Sequence, residues 1–448
     1  MKEGLVYALG QVLGDISRTA LAPSVLRAAK AKLFHAIGVS LASSRLAPAV
    51  AAWQAVSDST GESFVFGQTR RVSAPDAAFV NGAIGHSSLL EDCGPGGLKE
   101  GSHPGTYIIP AALAAAESER VDGSRFLTAL VIGYEAVSRI GRAAPATIVQ
   151  RRFRPLGVMG PFGAAAAAAT VMGADDGQLT GALAVAANLA GGTTQGIFEG
   201  TMEPYFQAGL AARNGMLAAR LGRSGAVTAA RALEGDFGFF RTYGGESADE
   251  QALLAPSSRL GIEAVGTKRF AACLQNQNTV ALLVDELDEP LDPDTVERVT
   301  ITRPLSGTNG LNSPGVSRSR PFDNMLAAQM SARFTAAAAI MGLPVNDPMF
   351  FQQSFADPRI AGLTDRIDLV QSEVDRVTVD IVLRDGRRIH LDGGDRNVLF
   401  PDYDAVRAMF LKRTEPILGA NAEAASRLID ELEVVTDIRQ LITVLGRP

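Results

Sequence analysis

The chain has 448 residues, 46% of them hydrophobic and 20% charged, which is typical of a globular protein large enough for two domains. Its net charge of −6 lacks the basic excess of nucleic-acid-binding proteins, so we expect no nucleic acid partner. The two cysteines, Cys93 and Cys273, are too few and too far apart in the sequence for a zinc ribbon, a disulfide framework or an iron–sulfur cluster.

No stretch of the sequence predicts a secretory signal or a membrane span. Near the N-terminus, Gly14 and Asp15 interrupt the apolar core that a signal sequence needs. The most apolar later run, residues 160–174, is short, rich in alanine and followed by two aspartates, so it is too weak to cross a bilayer. We therefore expect a cytoplasmic protein without a membrane partner.

The first part of the chain, residues 1 to about 258, has a helical pattern. Apolar residues recur at helical spacing in three stretches: 24–44, 161–190 and 212–233. Within the second stretch, Gly173 and Gly181 predict breaks between helices, and Asp175 or Asp176 predicts a cap for the next helix. The many alanines and glycines indicate helices that pack closely.

From about residue 259 to 397 the pattern becomes mixed. It predicts a half-buried strand over 296–304, a helix over 324–344 and a hairpin over 377–391. The turn of the hairpin is Asp385–Gly386, a pair that favours tight turns.

From about residue 402 the chain is again helical in pattern. We therefore predict a mainly α fold with an α+β part. A large, discontinuous all-helical domain would comprise residues 1–258 and 398–448, and a smaller α/β domain, residues 259–397, would be inserted late in the chain.

The four histidines differ in their surroundings, and no P-loop, nucleophile elbow or paired metal-binding histidines accompany them. His35 lies inside an amphipathic helix, where a structural role is the simplest interpretation. His390 lies in the hairpin opposite the apolar face, so we expect it to be solvated. His86 and His103 flank or occupy an irregular segment and are candidates for chemistry, although a solvated or capping role stays open for each.

The loop at residues 91–111, EDCGPGGLKEGSHPGTYIIPA, concentrates ionisable groups where glycines and prolines disfavour regular structure. It contains the adjacent acids Glu91 and Asp92, and the histidine His103. Adjacent carboxylates raise each other's pKa when they lie close together, but neighbouring side chains often point apart, so this pairing carries little weight. We predict that the loop is one half of an active site whose other half lies near Lys268.

A second unusual stretch, GTKRFAACLQNQNTV at 266–280, places Lys268 and Arg269 before an apolar patch and four consecutive amide side chains. A cation beside an apolar wall and amides suits a carboxylate-binding pocket. A surface loop with an ordinary lysine is an equal alternative at this stage. Further arginines lie within 151–154, where Arg154 directly precedes a proline.

Several segments, in order along most of the chain, resemble the 2-methylcitrate dehydratase family (MmgE/PrpD). They are VNGAIGHSSLLED, SHPGTYIIPAALAAAE, RPLGVMGPFGAAAAAATVMG, AGLAARNGMLAARLG, GTKRFAACLQNQNTVALLVDEL and AAQMSARFTAAAAIM. Family members include cis-aconitate decarboxylase and iminodisuccinate epimerase. The resemblance implies a large helical domain with an inserted α/β domain, an active site between them, a homodimer, and chemistry without a metal or organic cofactor.

The resemblance also implies roles for individual residues. His86, Asp92, His103 and Lys268 match family positions, and Cys273 matches the second cysteine of a paired-cysteine segment. We predict His103, Lys268 and Asp92 as catalytic residues, with His103 as the acid or base because histidine titrates near neutral pH. The predicted substrate-binding residues are His86, Arg154, Arg269, Gln207, Gln277 and Cys273. No metal ligand is predicted.

Four polar positions depart from the pattern of decarboxylase-like members. Arg154 and Gln277 stand where those members have histidines, while Pro204 and Gln207 replace a lysine and a histidine. Leu89 also replaces the first acid of the family's acidic segment. These departures argue against close identity with cis-aconitate decarboxylase or 2-methylcitrate dehydratase.

Three functional hypotheses follow. The first is a lyase that dehydrates or decarboxylates a citrate- or aconitate-like acid, favoured by its prevalence in the family. The second is an isomerase of the iminodisuccinate epimerase kind, which the replaced histidines favour because inversion ejects neither water nor CO2. Both enzymes develop charge beside a carboxylate and need fixed cations to stabilise it. The third is an inactive anion-binding relative, against which the retention of His103, Asp92 and Lys268 speaks.

Overall fold

The computed structural model of the chain describes residues 4–394, 396 and 398–446. Helix accounts for 57% of the structure and strand for 8%. The prediction of a mainly α fold with an α+β part is therefore confirmed.

The helices and strands follow one another along the chain as follows. The helices are α1 Leu5–Arg18, α2 Pro23–Ser43, α3 Ala47–Gln54, α4 Ala74–His86, α5 Gly105–Glu119, α6 Gly123–Ala143, α7 Thr147–Gln150, α8 Pro155–Val171, α9 Asp176–Asn188, α10 Gln195–Glu199, α11 Glu203–Arg223, α12 Phe239–Gly244, α13 Glu250–Leu254, α14 Gly261–Ala264, α15 Gln277–Glu286, α16 Met325–Met330, α17 Ala332–Ile340, α18 Pro348–Ser354, α19 Pro358–Thr364, α20 Tyr403–Leu418, α21 Asn421–Asp430 and α22 Arg439–Leu445. The strands are β1 Asp92–Cys93, β2 Gly266–Thr267, β3 Val296–Pro304, β4 Ile367–Ser372, β5 Thr378–Leu383 and β6 Arg388–Asp392.

Local sequence signals explain several helix ends. The break predicted between α8 and α9 is confirmed at Gly173, whose φ of 72° is accessible to glycine without a side-chain clash. The break predicted at Gly181 is wrong, because Gly181 lies inside α9. Asp175 caps α9, because its carboxylate accepts the Gln178 N–H at 2.8 Å while the Gln178 side chain accepts the Asp175 N–H at 3.1 Å. Such a reciprocal cap contributes roughly 1 kcal/mol to helix stability.

Two helix predictions were wrong in their extent. The stretch 212–233 is helical only to Arg223, where α11 ends, because Gly225 at a φ of 76° turns the chain away. The stretch 324–344 forms two helices divided at Ser331, whose hydroxyl accepts the Phe334 N–H at 3.2 Å and donates to Arg318 O at 2.8 Å. That side chain replaces helical hydrogen bonds with its own.

The four strands β3–β6, in the late part of the chain, form one sheet in the order β4-β3-β5-β6. β3 pairs in parallel with β4 and antiparallel with β5, and β5 pairs antiparallel with β6. Ile301, Val379 and Leu391 lie opposite one another across the three neighbouring strands β3, β5 and β6, and all three are buried. The predicted strand over 296–304 and the predicted hairpin are confirmed.

Two apolar clusters form the interior. The first joins helices from α1 to α14 with α20–α22, so the C-terminal helices pack on the N-terminal part, and the Phe34 ring lies 5.1 Å from that of Phe410. The second is built mainly by α15–α19 and β3–β6, with Leu90 and Tyr205 joining from the first part. The domain limits at residues 258 and 397 stay a prediction, and residue 397 lies outside the described residues.

Among the described residues, no helix on its own has both the length and the apolar character needed to cross a membrane; only α2 and α3, bent by 85° at their junction, meet that test when taken together.

Candidate active site

A short β-ladder joins the two segments that the sequence singles out. β1 pairs antiparallel with β2, with Asp92 opposite Thr267 and Cys93 opposite Gly266. The start of the 91–111 loop and Lys268 are therefore brought together, although the two segments lie far apart in the sequence.

The turn before this ladder points the backbone carbonyl of Leu89 towards Lys268. α4 ends at His86, and Leu89 adopts a φ of 52°, a conformation that costs a leucine of order 1–3 kcal/mol. In this conformation the Leu89 carbonyl accepts a hydrogen bond from Lys268 Nζ at 2.9 Å. The local strain thus goes together with the placement of a buried cation.

Glu91 lies at the centre of the charged cluster. Its Oε1 atom lies 2.8 Å from Lys268 Nζ, 3.1 Å from His103 Nδ1 and 3.3 Å from His86 Nδ1, the last within ion-pair distance but without a hydrogen bond. Burial alone would raise the pKa of Glu91, but Lys268 and the two histidines lower it well below its usual range. Glu91 Oε2 is buried and accepts no hydrogen bond from any described residue.

The contacts of His86 define its proton position. Arg154 Nη2 lies 2.6 Å from His86 Nε2, and a guanidinium can only donate, so Nε2 is the acceptor and the proton resides on Nδ1, facing Glu91. Burial lowers the pKa of His86 to about 4; Arg154 adds to this effect and Glu91 opposes it. His86 is therefore a neutral imidazole at physiological pH.

His103 has the same tautomer as His86. Its Nδ1 lies 2.9 Å from the Asp92 carbonyl oxygen, which can only accept, so Nδ1 carries the proton and Nε2 retains a lone pair. Burial, followed by the nearby Lys268, holds the pKa of His103 well below its ordinary value. The His103 side chain is 15% exposed, whereas that of His86 is 0% exposed, so His103 is the more accessible of the two.

Arg154 closes the cluster on the side of α8 and α11. It occupies the N-cap position of α8 and donates to the carbonyl oxygen of Pro204 and, at 3.2 Å, to Gln207 Oε1. Burial lowers the pKa of Arg154 to about 10, so it remains a cation. The Gln207 amide is held in turn by donating to Thr193 O at 2.9 Å. Arg154 and Gln207 are thus brought together beside His86.

The carboxylate of Asp92 points away from Glu91. It accepts hydrogen bonds from Tyr134 OH at 2.6 Å and from the Gly105 N–H at 3.0 Å. Burial raises the pKa of Asp92 to about 6, with Lys32 and Tyr134 acting in the opposite direction. The predicted catalytic residue Asp92 therefore lies beside the cluster, and its neighbour Glu91, which the sequence reasoning discounted, occupies the centre.

Three predicted substrate-binding residues make their side-chain contacts away from the charged cluster: Arg269, Gln277 and Cys273. Arg269 forms a bidentate ion pair with Asp285 at 2.6 and 2.7 Å and stacks on the Phe270 ring at 4.9 Å. It follows Lys268 directly and faces another way, as successive side chains of an extended segment do. The Arg269 side chain thus pairs with Asp285 and not with the Lys268 cluster, and its substrate-binding role stays a prediction.

Gln277 and Cys273 are engaged by local contacts. The Gln277 side chain accepts the backbone N–H groups of Arg269 and Phe270 at 3.1 Å each, and donates to the carbonyl oxygens of Phe270 and Ala272. A fully bonded amide has nothing left to offer a substrate, so Gln277 acts by shaping the segment after Lys268. The Cys273 thiol lies 2.8 Å from the Gln275 side-chain oxygen, and burial raises its pKa.

The site also contains residues that the sequence reasoning missed. The Tyr205 ring lies 6.0 Å from the His86 ring, its hydroxyl lies 3.4 Å from Gln329 Oε1, and Gln329 Nε2 donates to Ser88 O at 2.7 Å. The only sequence signal for Glu91 was its place beside Asp92. Gln329 is a lone amide in an apolar helix, a pattern with no distinctive meaning by itself.

Within the described part of the chain, no group of three or more histidine, cysteine, aspartate or glutamate residues is arranged to hold a metal ion. The expectation of chemistry without a metal or organic cofactor stays a prediction. The structure also places the two remaining histidines: His35 is buried with Nε2 2.8 Å from Leu90 O, and His390 is exposed beside Asp380.

Comparison with known proteins matches the MmgE/PrpD N-terminal domain to residues 8–251, more than half of the chain. A cis-aconitate decarboxylase-like protein of Aspergillus oryzae is 32% identical over 228 residues, which cover 49% of this chain and 46% of that protein. The cis-aconitate decarboxylase of Homo sapiens is 28% identical over 320 residues, 68% of this chain and 64% of that enzyme. That of Mus musculus is 25% identical over 367 residues, 78% and 72% of the two chains. The first two alignments span less than two thirds of the relatives' length.

Proposed function

The chain belongs to the MmgE/PrpD family, and from this premise we propose that it is a cofactor-independent lyase that decarboxylates a cis-aconitate-like polycarboxylate. The observation that carries the proposal is the buried cluster of Lys268, Arg154, Glu91 and two neutral histidines. Two cations against one carboxylate leave a net positive charge in a site sheltered from water. Such a site attracts a polyanion and stabilises negative charge that develops on it.

Each cluster residue has a role in this proposal. Lys268 and Arg154 hold substrate carboxylates, and Glu91 keeps Lys268 in place and faces the Nδ1–H groups of His86 and His103. A bound polyanion adds negative charge beside His103 and so raises its pKa, which lets Nε2 take up a proton.

The proposed reaction is a proton-coupled bond cleavage. The bond between the carbon chain and one carboxylate breaks, CO2 leaves, and the electron pair stays on the remaining acid. Lys268 and Arg154 stabilise that charge. The proton on His103 Nε2 is then transferred to the carbon, and the imidazole returns to its neutral form.

The arrangement of the histidines favours a lyase over an epimerase. Inversion of a carbon requires two acid/base groups on opposite faces of the substrate. The rings of His86 and His103 lie with their centroids 5.0 Å apart and are tilted by only 39°, which leaves no space for a substrate between them. The names of the two mammalian relatives also favour decarboxylation.

Three further features belong to the proposal. We propose a cytoplasmic homodimer that works without added metal. Sedimentation analysis should show twice the chain mass, and dialysis against a chelator should leave the activity unchanged. Activity restored only by a metal would contradict the cofactor-independent mechanism.

The deciding experiment is proton NMR in D2O with citrate, 2-methylcitrate, cis- and trans-aconitate, and iminodisuccinate. We expect cis-aconitate to lose CO2 and to yield new olefinic signals with one deuterium incorporated. His390→Asn, which alters an exposed histidine, serves as the matched control and should be as active as the unmodified protein. Deuterium at an α-carbon with an unchanged skeleton would instead establish an isomerase, and no reaction with any substrate would contradict the proposal.

A further inference from the structure

A cleft of about 610 Å³ lies between α2, α15, α20 and the segment that follows α17. Its size is within the range of small-molecule binding sites. Its lining includes Leu90 and Arg269, the sequence neighbours of Glu91 and Lys268, but no residue of the charged cluster. It is therefore a separate space from the candidate active site.

The charges of the cleft are unbalanced. Three cations, Arg269, Lys412 and Arg413, line it together with one acid, Asp347. Arg269 is neutralised by Asp285, and Asp347 caps α18 by accepting the Met349 N–H at 2.9 Å. Asp347 keeps its negative charge, so the cleft holds two further cations, Lys412 and Arg413, against one acid, and neither cation forms an ion pair with a described residue.

Arg413 differs from Lys412 because it is less exposed to solvent. It is partly buried, and its polar contact is with His35 Nδ1 at 3.4 Å. His35 Nε2 lies 2.8 Å from Leu90 O, which can only accept, so Nδ1 carries a lone pair and His35 supplies no negative charge. Burial lowers the pKa of Arg413 to about 10, so it stays charged at neutral pH without a counter-ion. A partly desolvated cation of this kind is stabilised when an anion binds.

The walls of the cleft are apolar. They are formed by Phe270, Leu283, Leu287, Leu343 and Val345, which are buried or partly buried. We propose that the cleft binds an amphipathic anion, with a carboxylate or phosphate head on Arg413 and Lys412 and an aliphatic body against these walls. The ligand gains from the charge-assisted contacts and from removing apolar surface from water.

Titration calorimetry with octanoate tests the proposal, with octyl phosphate distinguishing the two kinds of head group. Octanoate should bind at one saturable site, and both acetate and octanol should bind at least about tenfold more weakly, because each lacks one half of the interaction. Arg413→Gln and Lys412→Gln should each weaken octanoate binding, the first by about tenfold.

Arg388→Gln is the matched control, because Arg388 is an exposed arginine of β6 without an ion pair among the described residues. It should leave octanoate binding unchanged, since Arg388 does not line the cleft. Equal affinity in all cleft variants, or the absence of saturable binding, would each overturn the proposal. None of these measurements depends on the enzymatic reaction.

Discussion

Glu91 and Asp92 are adjacent, carry the same charge and are both buried, yet their surroundings shift their pKa values in opposite directions. Glu91 faces Lys268 and two histidines, and its pKa lies well below the usual range. Asp92 faces a tyrosine hydroxyl and a backbone amide, and its pKa rises to about 6. Burial raises the pKa of both carboxylates, so the cation beside Glu91 makes the difference.

Glu91, which directly precedes β1, and Asp92, its first residue, therefore have separate tasks. Glu91 contacts the charged groups that we propose act on the substrate. The Asp92 side fastens the loop, because the Asp92 carboxylate holds the Gly105 N–H at the start of α5 and its carbonyl accepts His103 Nδ1–H. Asp92 thus positions His103, and Glu91 takes part in the charged cluster itself.

Replacing Lys268, the cation beside Glu91, should have the largest effect on stability and activity. Lys268→Met leaves Glu91 buried without its cation, so we expect the free energy of unfolding to fall by about 3–5 kcal/mol. Decarboxylation should fall by about 10³-fold or more, since a cation that stabilises the transition state is lost. Urea unfolding and steady-state kinetics measure the two effects.

The double variant Lys268→Met/Glu91→Gln separates stability from activity. Neutralising both partners should restore most of the lost stability, because no unpaired buried charge remains. Activity should stay low. A single Lys268→Met variant that turns over at a near-normal rate would remove Lys268 from the proposed chemistry.

The His103→Asn variant should rank second. Asparagine can still donate to the Asp92 carbonyl but has no counterpart of Nε2, so we expect kcat to fall by about 10²–10⁴-fold with the fold preserved. The alkaline limb of the kcat profile should disappear as well, because His103 acts in its protonated form. An unchanged pH profile in His103→Asn would assign His103 a structural role, and His390→Asn is the matched control.

Replacing Glu91 should reduce activity more than replacing Asp92. Glu91→Gln leaves Lys268 without its carboxylate, and we expect about 10²-fold loss of kcat/KM together with reduced stability. Asp92→Asn keeps an oxygen that accepts the Gly105 N–H, so the loss should be about tenfold or less. Equal losses, or a larger loss in Asp92→Asn, would reverse the roles that we assign.

The smallest predicted effect is the contribution of Asp92 to the pH dependence of stability, which acts against that of the histidines. His35, His86 and His103 have lowered pKa values in the folded protein, so the unfolded chain binds more protons below pH ~6.5 and stability falls as the pH drops from 7 to 5, by on the order of 1–2 kcal/mol for each histidine. Asp92, with a raised pKa of about 6, binds its proton first in the folded state and offsets part of this loss.

The Asp92→Asn variant removes the stabilising proton uptake of Asp92 and so tests this prediction. Asp92→Asn should lose about 1 kcal/mol more than the unmodified protein between pH 7 and pH 5 in urea unfolding. Glu91→Gln should not show this extra loss, because the pKa of Glu91 lies well below that range. Parallel pH dependence in the Asp92→Asn variant and the unmodified protein would contradict a raised Asp92 pKa.

Much of the fold was predictable because its signals are local. Asp175 caps α9 through residues three positions apart, and the hairpin of β5 and β6 turns at a pair that prefers tight turns. The division at Ser331 was missed because both flanks, α16 and α17, carry the same apolar helical pattern, and the break depends on a hydrogen bond to Arg318 from outside the helix.

The sequence by itself determined the fold class, the family and the two segments that carry the charged residues, since composition, periodicity and motif order do not depend on distant contacts. Only the tertiary structure decided that Glu91 rather than Asp92 meets Lys268, that Arg269 turns to Asp285, and that the Gln277 amide is consumed by backbone groups. The physical reason is that contacts between distant segments, such as the pairing of β1 with β2, set the direction of side chains, and direction decides which groups lie within reach of one another.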